Sequence, residues 1–223
     1  MNDDSLAWST LGVRGEHATE FLDGQLTQSV RDVTDGQWSL LLDPDGTVVT
    51  SLWLRPQSEG WELLVPLERA ERAETRLRRF LLRVHCVIER SEGATNTPLC
   101  SLDDLDREGW PWAPEFARDL LPHSYGRNFV DKTISFTKGC FTGQELVGRM
   151  DARGASTPWR FARATGPSLA AIANVIDAVG PDGPKGVTTV LTAREPVRAF
   201  AIVHRSFFTK ESSTSEVVVE EIA

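Results

Sequence analysis

Cysteine is scarce in this chain, with 3 among 223 residues. Cys86, Cys100 and Cys140 show no C-x-x-C spacing, and their number is odd, which argues against a disulfide framework and a zinc finger. Such usage fits a reducing cytoplasm. Histidine is rare too: none of the 4 belongs to an H-x-x-x-H pair, so the sequence offers no dedicated metal site. No run approaches 18 apolar residues, so no membrane-spanning helix is predicted. The start, Met1-Asn2-Asp3-Asp4, is acidic and unlike a signal peptide. Positive charge is in short supply, with 24 Lys and Arg against 32 Asp and Glu and a net charge of −8. That balance argues against stable nucleic-acid binding, which needs a basic surface. Arg78, Arg79 and Arg83 come nearest to a basic patch, but acids alternate with them and they read as a solvated helix face. There is no internal repeat.

What is present is an ordinary globular composition, 40% apolar and 25% charged. The length allows one large domain, or a main domain with a smaller companion. Leu6 to Val13 alternates as a strand. Ala18, Phe21, Leu22 and Leu26 then line one helical face. Trp38 to Leu42 and Thr47 to Leu54 read as a hairpin closed by Asp43-Pro44-Asp45-Gly46. Trp61 to Val65 adds a strand, Leu67 to Leu82 a helix with i,i+4 pairs Glu68–Arg72 and Glu74–Arg78, and Arg83 to Glu89 another strand. Helices interleaved with hairpins predict an α+β fold on an antiparallel sheet covered on one face. Residues 91–112 read as loop, and Pro114 to Leu121 as a short helix. Beyond Gly154 the texture turns β-rich: Trp159 to Thr165, Gly186 to Leu191 and Arg198 to Arg205 look like strands. Ser168 to Val179 fits a helix or a strand. Thr209 to Glu216 is Ser/Thr-rich and reads as a mobile stretch, and Val217 to Val219 reads as a last strand or a tail. The change of texture divides the chain into residues 1–155 and 156–223.

The most informative stretch is Lys138-Gly139-Cys140-Phe141-Thr142-Gly143-Gln144-Glu145. Thr142 and Glu145 have capping-box spacing, with Leu146, Val147 and Met150 as apolar positions and Gly154 as the C′ residue. This places Cys140 two residues before a helix N-terminus, where the peptide dipoles and the Lys138 charge favour a thiolate. The alternative is that Cys140 is a small buried hydrophobe.

This stretch, followed by Arg149 and Arg153-Gly154, resembles the signature of the YgfZ family of folate-binding proteins, relatives of the glycine-cleavage T-protein. Phe21-Leu22-Asp23-Gly24-Gln25-Leu26-Thr27, the 42–46 turn, Arg107-Glu108-Gly109-Trp110-Pro111 and Gly186-Val187-Thr188-Thr189 resemble further elements of that family. The resemblance implies a folate-binding core of two related α+β subdomains with antiparallel sheets (residues 1–155) and a small C-terminal β-barrel (156–223). It implies tetrahydrofolate as the bound cofactor, with no intrinsic metal or cluster. It also implies a role in iron–sulfur cluster maintenance and in cluster-dependent tRNA modification, with iron–sulfur proteins as partners and Cys140 as the acting residue. A lone cysteine cannot hold a cluster that takes four ligands.

For the folate, the expected contacts are Lys138, Gly139, Gly143, Gln144, Glu145, Arg149, Gln25 and Trp53, with Phe21 and Trp110 as further walls. The T-protein enzymes carry a catalytic aspartate after the first hairpin turn. Thr50 and Ser51 occupy the matching positions here, and a hydroxyl cannot serve as the base that a carboxylate is. A folate-dependent aminomethyl transferase with a relocated base is therefore the alternative reading, and a thiol-bearing scaffold is a third.

Overall fold

A computed structural model of the protein describes residues 5–154, 156–209 and 216–222. The acidic start and most of the Ser/Thr-rich run 209–216 lie outside the described residues. The first sheet contains β1 (Trp8–Arg14), β2 (Gln37–Leu42), β3 (Val48–Gln57), β4 (Gly60–Pro66) and β5 (Val87–Glu92). Its order is β2-β3-β4-β1-β5, with every pairing antiparallel. Leu11 sits opposite Leu63, which sets the register by period-two burial.

The two faces of this sheet carry different cores. Leu11, Val13, Leu41, Leu52 and Leu63 pack with α1 (Ala18–Gln25) and α2 (Ala70–Arg78). Leu40, Leu42, Val48 and Leu64 face a second, aromatic-rich cluster. That cluster draws on α3 (Leu102–Glu108), α4 (Ala113–Phe116) and α5 (Arg127–Thr133), and on Phe161, Leu191, Phe200 and Ile202 of a second sheet. The second sheet joins β6 (Trp159–Gly166), β7 (Gly186–Thr192), β8 (Val197–His204) and β9 (Val218–Glu221) in the order β7-β8-β6-β9. α7 (Leu169–Asp177) packs on its far side through Ile172 and Ile176, against Ala162, Ala164 and Ala201. Ser168 caps α7 by accepting from the Ala171 N–H, which resolves the 168–179 ambiguity in favour of a helix.

The expected C-terminal barrel is not formed among the described residues: β7 and β9 are free edges of an open sheet, whose second face is already buried under α7. Nor, among the described residues, does 1–155 hold two sheets. Residues 94–154 carry no named strand, because their apolar positions have helical spacing broken by Pro and Gly. The segment expected to be loop contains α3, with Ser101 and Asp104 in a reciprocal capping box and Gly109 at φ +60 as C-cap. α2 ends at Arg78 rather than Leu82, and β5 begins only at Val87, after Arg83 turns the chain at φ +63. Arg72 reaches Asp43 and Asp119 (2.9 and 3.0 Å) instead of Glu68. Among the described residues no helix is long and apolar enough to cross a membrane.

Buried polar groups tie the first half to the second sheet. Asp106 of α3 pairs with Arg163 of β6 and Arg198 of β8, each at 2.6 Å. Glu115 of α4 is fully buried and accepts from the Trp112 N–H (2.7 Å) and the Thr189 hydroxyl (2.8 Å). Burial raises the Glu115 carboxyl above its ordinary range, and these bonds offset only part of that rise. The folded chain therefore holds this proton more tightly than the unfolded chain does. Its stabilising contribution is complete below the unfolded value and is lost as pH rises through the folded one. Glu115→Gln should remove that decline, worth about 1.4 kcal/mol for each unit separating the two values. Urea unfolding of both proteins between acid and neutral pH measures it, and parallel pH profiles would refute the assignment.

Candidate functional site: three motif segments around an exposed thiol

α1 ends where the chain needs carbonyl partners, because the last four C=O groups of a helix have none within it. Lys138 supplies them. Its ammonium donates to the carbonyls of Asp23 (2.6 Å), Leu26 (2.8 Å) and Gln28 (3.1 Å) and lies 3.5 Å from the Asp23 carboxylate. The side chain is only 3% exposed. Burial pulls the Lys138 ammonium below its usual range, opposed by Asp23. Burial works upward on the Asp23 carboxyl, but the Val30 N–H and Lys138 outweigh it and leave it lowered. The Lys138 charge is thus committed to α1, rather than added to the thiol.

Thr142 follows the same line. Its N–H donates to the Gly24 carbonyl (3.1 Å), and its hydroxyl lies 3.3 Å from Gln25 Oε1. These tertiary bonds displace the expected capping box. The helix α6 (Gln144–Ala152) begins with Gly143 as N-cap at φ +86 and no side-chain cap, while Glu145 pairs with Arg149 on the exposed face. Gly154 does close the helix, at φ +56.

Gly143 also seats the loop on the hairpin turn. A Cβ there would lie 2.7 Å from the Asp43 carbonyl oxygen and 3.2 Å from Gly46 Cα. Phe141 and Val147, both buried, anchor either side in the aromatic core. The segments 21–27, 42–46 and 138–145, far apart in sequence, therefore meet at one place. Between them Cys140 and Gly139 are exposed, and Gln144 is half-buried.

Arg76 joins this junction from the core-facing stripe of α2. It donates to Gln25 Oε1 (3.0 Å), and its Nε lies 3.5 Å from Asp43 Oδ1. Its side chain is 2% exposed, yet Nε and Nη2 are buried without a hydrogen-bond partner. Burial lowers the pKa of the guanidinium, with Asp43 opposing. Arg72, Arg76 and Arg79 line a hollow of about 440 Å³ together with Asp43, Glu68, Glu71 and Thr75. A larger hollow, about 720 Å³ over Thr10, Gly12 and Arg14, touches none of the three segments.

The predicted aromatic walls are not assembled. Phe21 belongs to the helix-covered core and Trp110 to the opposite one. Trp53 stacks edge-on against Trp38 at 5.3 Å, within a chain of indoles. Thr50 and Ser51 are buried in β3, with the Thr50 hydroxyl donating to the Ser51 carbonyl and Ser51 Oγ unpartnered. Arg76, Asp43 and Asp23 were not predicted as site residues. Arg76 occupies an apolar position of the α2 stripe, which was its one visible signal.

No family model matches the chain. A stretch of 44 residues is 39% identical to an uncharacterized protein of Haemophilus influenzae, and covers 20% of this chain and 16% of that relative. The structure is more telling. The chain shares its fold with the glycine cleavage system aminomethyltransferase T of Bartonella henselae. The two superpose with a TM-score of 0.58 over 98% of this chain and 83% of the other, at 10% identity. In this fold the three motif segments form the junction described above, and the positions expected to carry a carboxylate are the buried hydroxyls of Thr50 and Ser51.

Proposed function

We propose that this chain is a tetrahydrofolate-binding accessory protein of iron–sulfur cluster maintenance and cluster-dependent tRNA modification. In this reading it acts in the cytoplasm on iron–sulfur protein partners through Cys140. Residues 1–155 form the folate-binding core and 156–223 a smaller module. The observation that carries the reading is the meeting of the three motif segments beside an exposed thiol.

The residues fit a folate in part. The Arg76 hollow lies within the size range of small-molecule sites, and the Arg76 Nη2 group, which has no hydrogen-bond partner, suits a carboxylate. Arg76 would hold the polar end, backed by its bond to Gln25, and Gln144 lies on the neighbouring loop. Lys138 and Gly143 shape the neighbouring loop, which rests on the turn that carries Asp43, and Glu145 and Arg149 stand outside as an exposed pair. Bound folate would supply a one-carbon carrier; Cys140, exposed on the neighbouring loop, would offer its sulfur to a partner.

The test is calorimetric titration with tetrahydrofolate. Micromolar binding is expected, weakened about tenfold or more by Arg76→Gln, since a desolvated charged partner is lost. Cys140→Ser should leave stability within about 0.5 kcal/mol, as for other exposed positions. It should also abolish support of cluster-dependent tRNA modification in cells. Absence of folate binding at millimolar ligand would refute the reading.

The shared fold favours a second reading, aminomethyl transfer. Thr50 and Ser51 weigh against it, and Asp43 is already engaged by Arg72. Formaldehyde release from an aminomethyl donor, dependent on tetrahydrofolate, would decide for it.

A further inference from the structure

We propose that Glu16, His17 and His85 form a divalent transition-metal site of the zinc type at the N-terminal end of α1. Their ligand atoms all lie within 4.8 Å of one another. The two histidines stand 68 positions apart, which hides the cluster from any spacing rule, and the chain folds to create it. The His17 N–H donates to the His85 carbonyl (3.3 Å) and the His85 N–H to His17 Nδ1 (3.2 Å), so the two loops are cross-bridged. The imidazoles stack at 5.0 Å and 17°. Gly15, at φ +126, permits the approach: a Cβ there would lie 2.5 Å from the His85 carbonyl oxygen and 2.8 Å from Cys86 Cα.

Two imidazoles and one carboxylate are a zinc donor set with one position left for water. Zinc holds such ligands at about 2.0–2.2 Å, so a tetrahedral site needs donors about 3.3 Å apart. Glu16 and His85 are exposed, and His85 swings inward by giving up its stack on His17, since near-parallel rings cannot both aim a nitrogen at one ion. The set also suits nickel and copper, which prefer imidazole nitrogen. Cys86 lies beside Gly15, but burial raises its thiol above the usual range and it stands outside the cluster. The site is at the opposite end of α1 from the Cys140 loop, about 12 Å along the helix axis, and is independent of the folate reading.

Metal uptake has a structural signature. An imidazole coordinated through Nε2 carries its proton on Nδ1, and one coordinated through Nδ1 has no lone pair left there. In either case the bond from the His85 N–H to His17 Nδ1 breaks.

The test uses the full chain, stripped by a chelator and titrated with zinc chloride by calorimetry and with cobalt chloride by absorption. One equivalent should bind, the cobalt spectrum should lack a thiolate charge-transfer band, and the His85 amide should exchange faster when zinc is bound. His85→Gln should weaken binding at least about tenfold, the minimum expected when even an outer-shell partner is lost. Because His85 is exposed, this variant keeps its fold, as an unchanged circular dichroism spectrum would verify; His17→Gln gives a second reading. No stoichiometric binding, an affinity unchanged by His85→Gln, or a thiolate band would each overturn the site.

Discussion

Gly143→Ala should destabilise the chain by about 2–5 kcal/mol, combining the left-handed backbone cost of a non-glycine residue with overpacking. Residue 143 sits at φ +86, and its added methyl would meet the Asp43 carbonyl oxygen at 2.7 Å. Neither side can retreat cheaply, since both are backbone, and Gly46 lies just behind. Gly139, four residues earlier in the same motif, is the control. A Cβ there meets nothing within 4 Å, so Gly139→Ala should stay within about 0.5 kcal/mol of the parent. Guanidinium unfolding of the three proteins measures both. Equal effects at the two positions would mean that the loop does not rest on the hairpin turn as described.

Lys138→Met carries the second large effect. It strips three part-buried carbonyls of their donor and leaves the Asp23 carboxylate with only the exposed Arg31, at 3.5 Å, as a cation. Leaving polar groups at such a site without their donor costs about 1–3 kcal/mol. Adding Asp23→Asn should then cost less than it does alone, because the more buried of its two partners is already gone. The Thr142 amide, held by the Gly24 carbonyl, should lose protection from hydrogen exchange as the loop lifts from α1. A loss below about 1 kcal/mol for Lys138→Met would show that the ammonium is solvated rather than sealed.

Both effects rest on contacts that sequence patterns do not display. Strands β1 to β4 were legible because Leu11, Leu40, Leu42 and Leu63 alternate with residues of the other face, and period two survives any tertiary arrangement. α3 was not, because its packing surface is small, with Leu105 and the ion-paired Asp106 as its buried residues. The Ser101–Asp104 cap was its available signal. At the site, the order of motifs was readable but their meeting was not. Thr142 has the local chemistry of a cap, and it was the docking of Gly24 and Gln25 that redirected it. Lys138 was assigned to the thiol on proximity in sequence, whereas the α1 terminus, more than a hundred residues away, claims its charge. The open second sheet differs from the expected barrel for a similar reason: α7 fills the face that a closing strand would need.

The indole chain through Trp112, Trp8, Trp38, Trp53 and Trp110 has ring centroids 4.3–6.3 Å apart along its links. Chromophores this close share an excited state, so their transitions couple as excitons instead of adding singly. The near-ultraviolet dichroism of the molecule therefore carries the signature of one patch, where Trp8, Trp38 and Trp53 of the first sheet meet Trp110 and Trp112, and that optical signal follows whether the segment between α3 and α4 stays on the sheet.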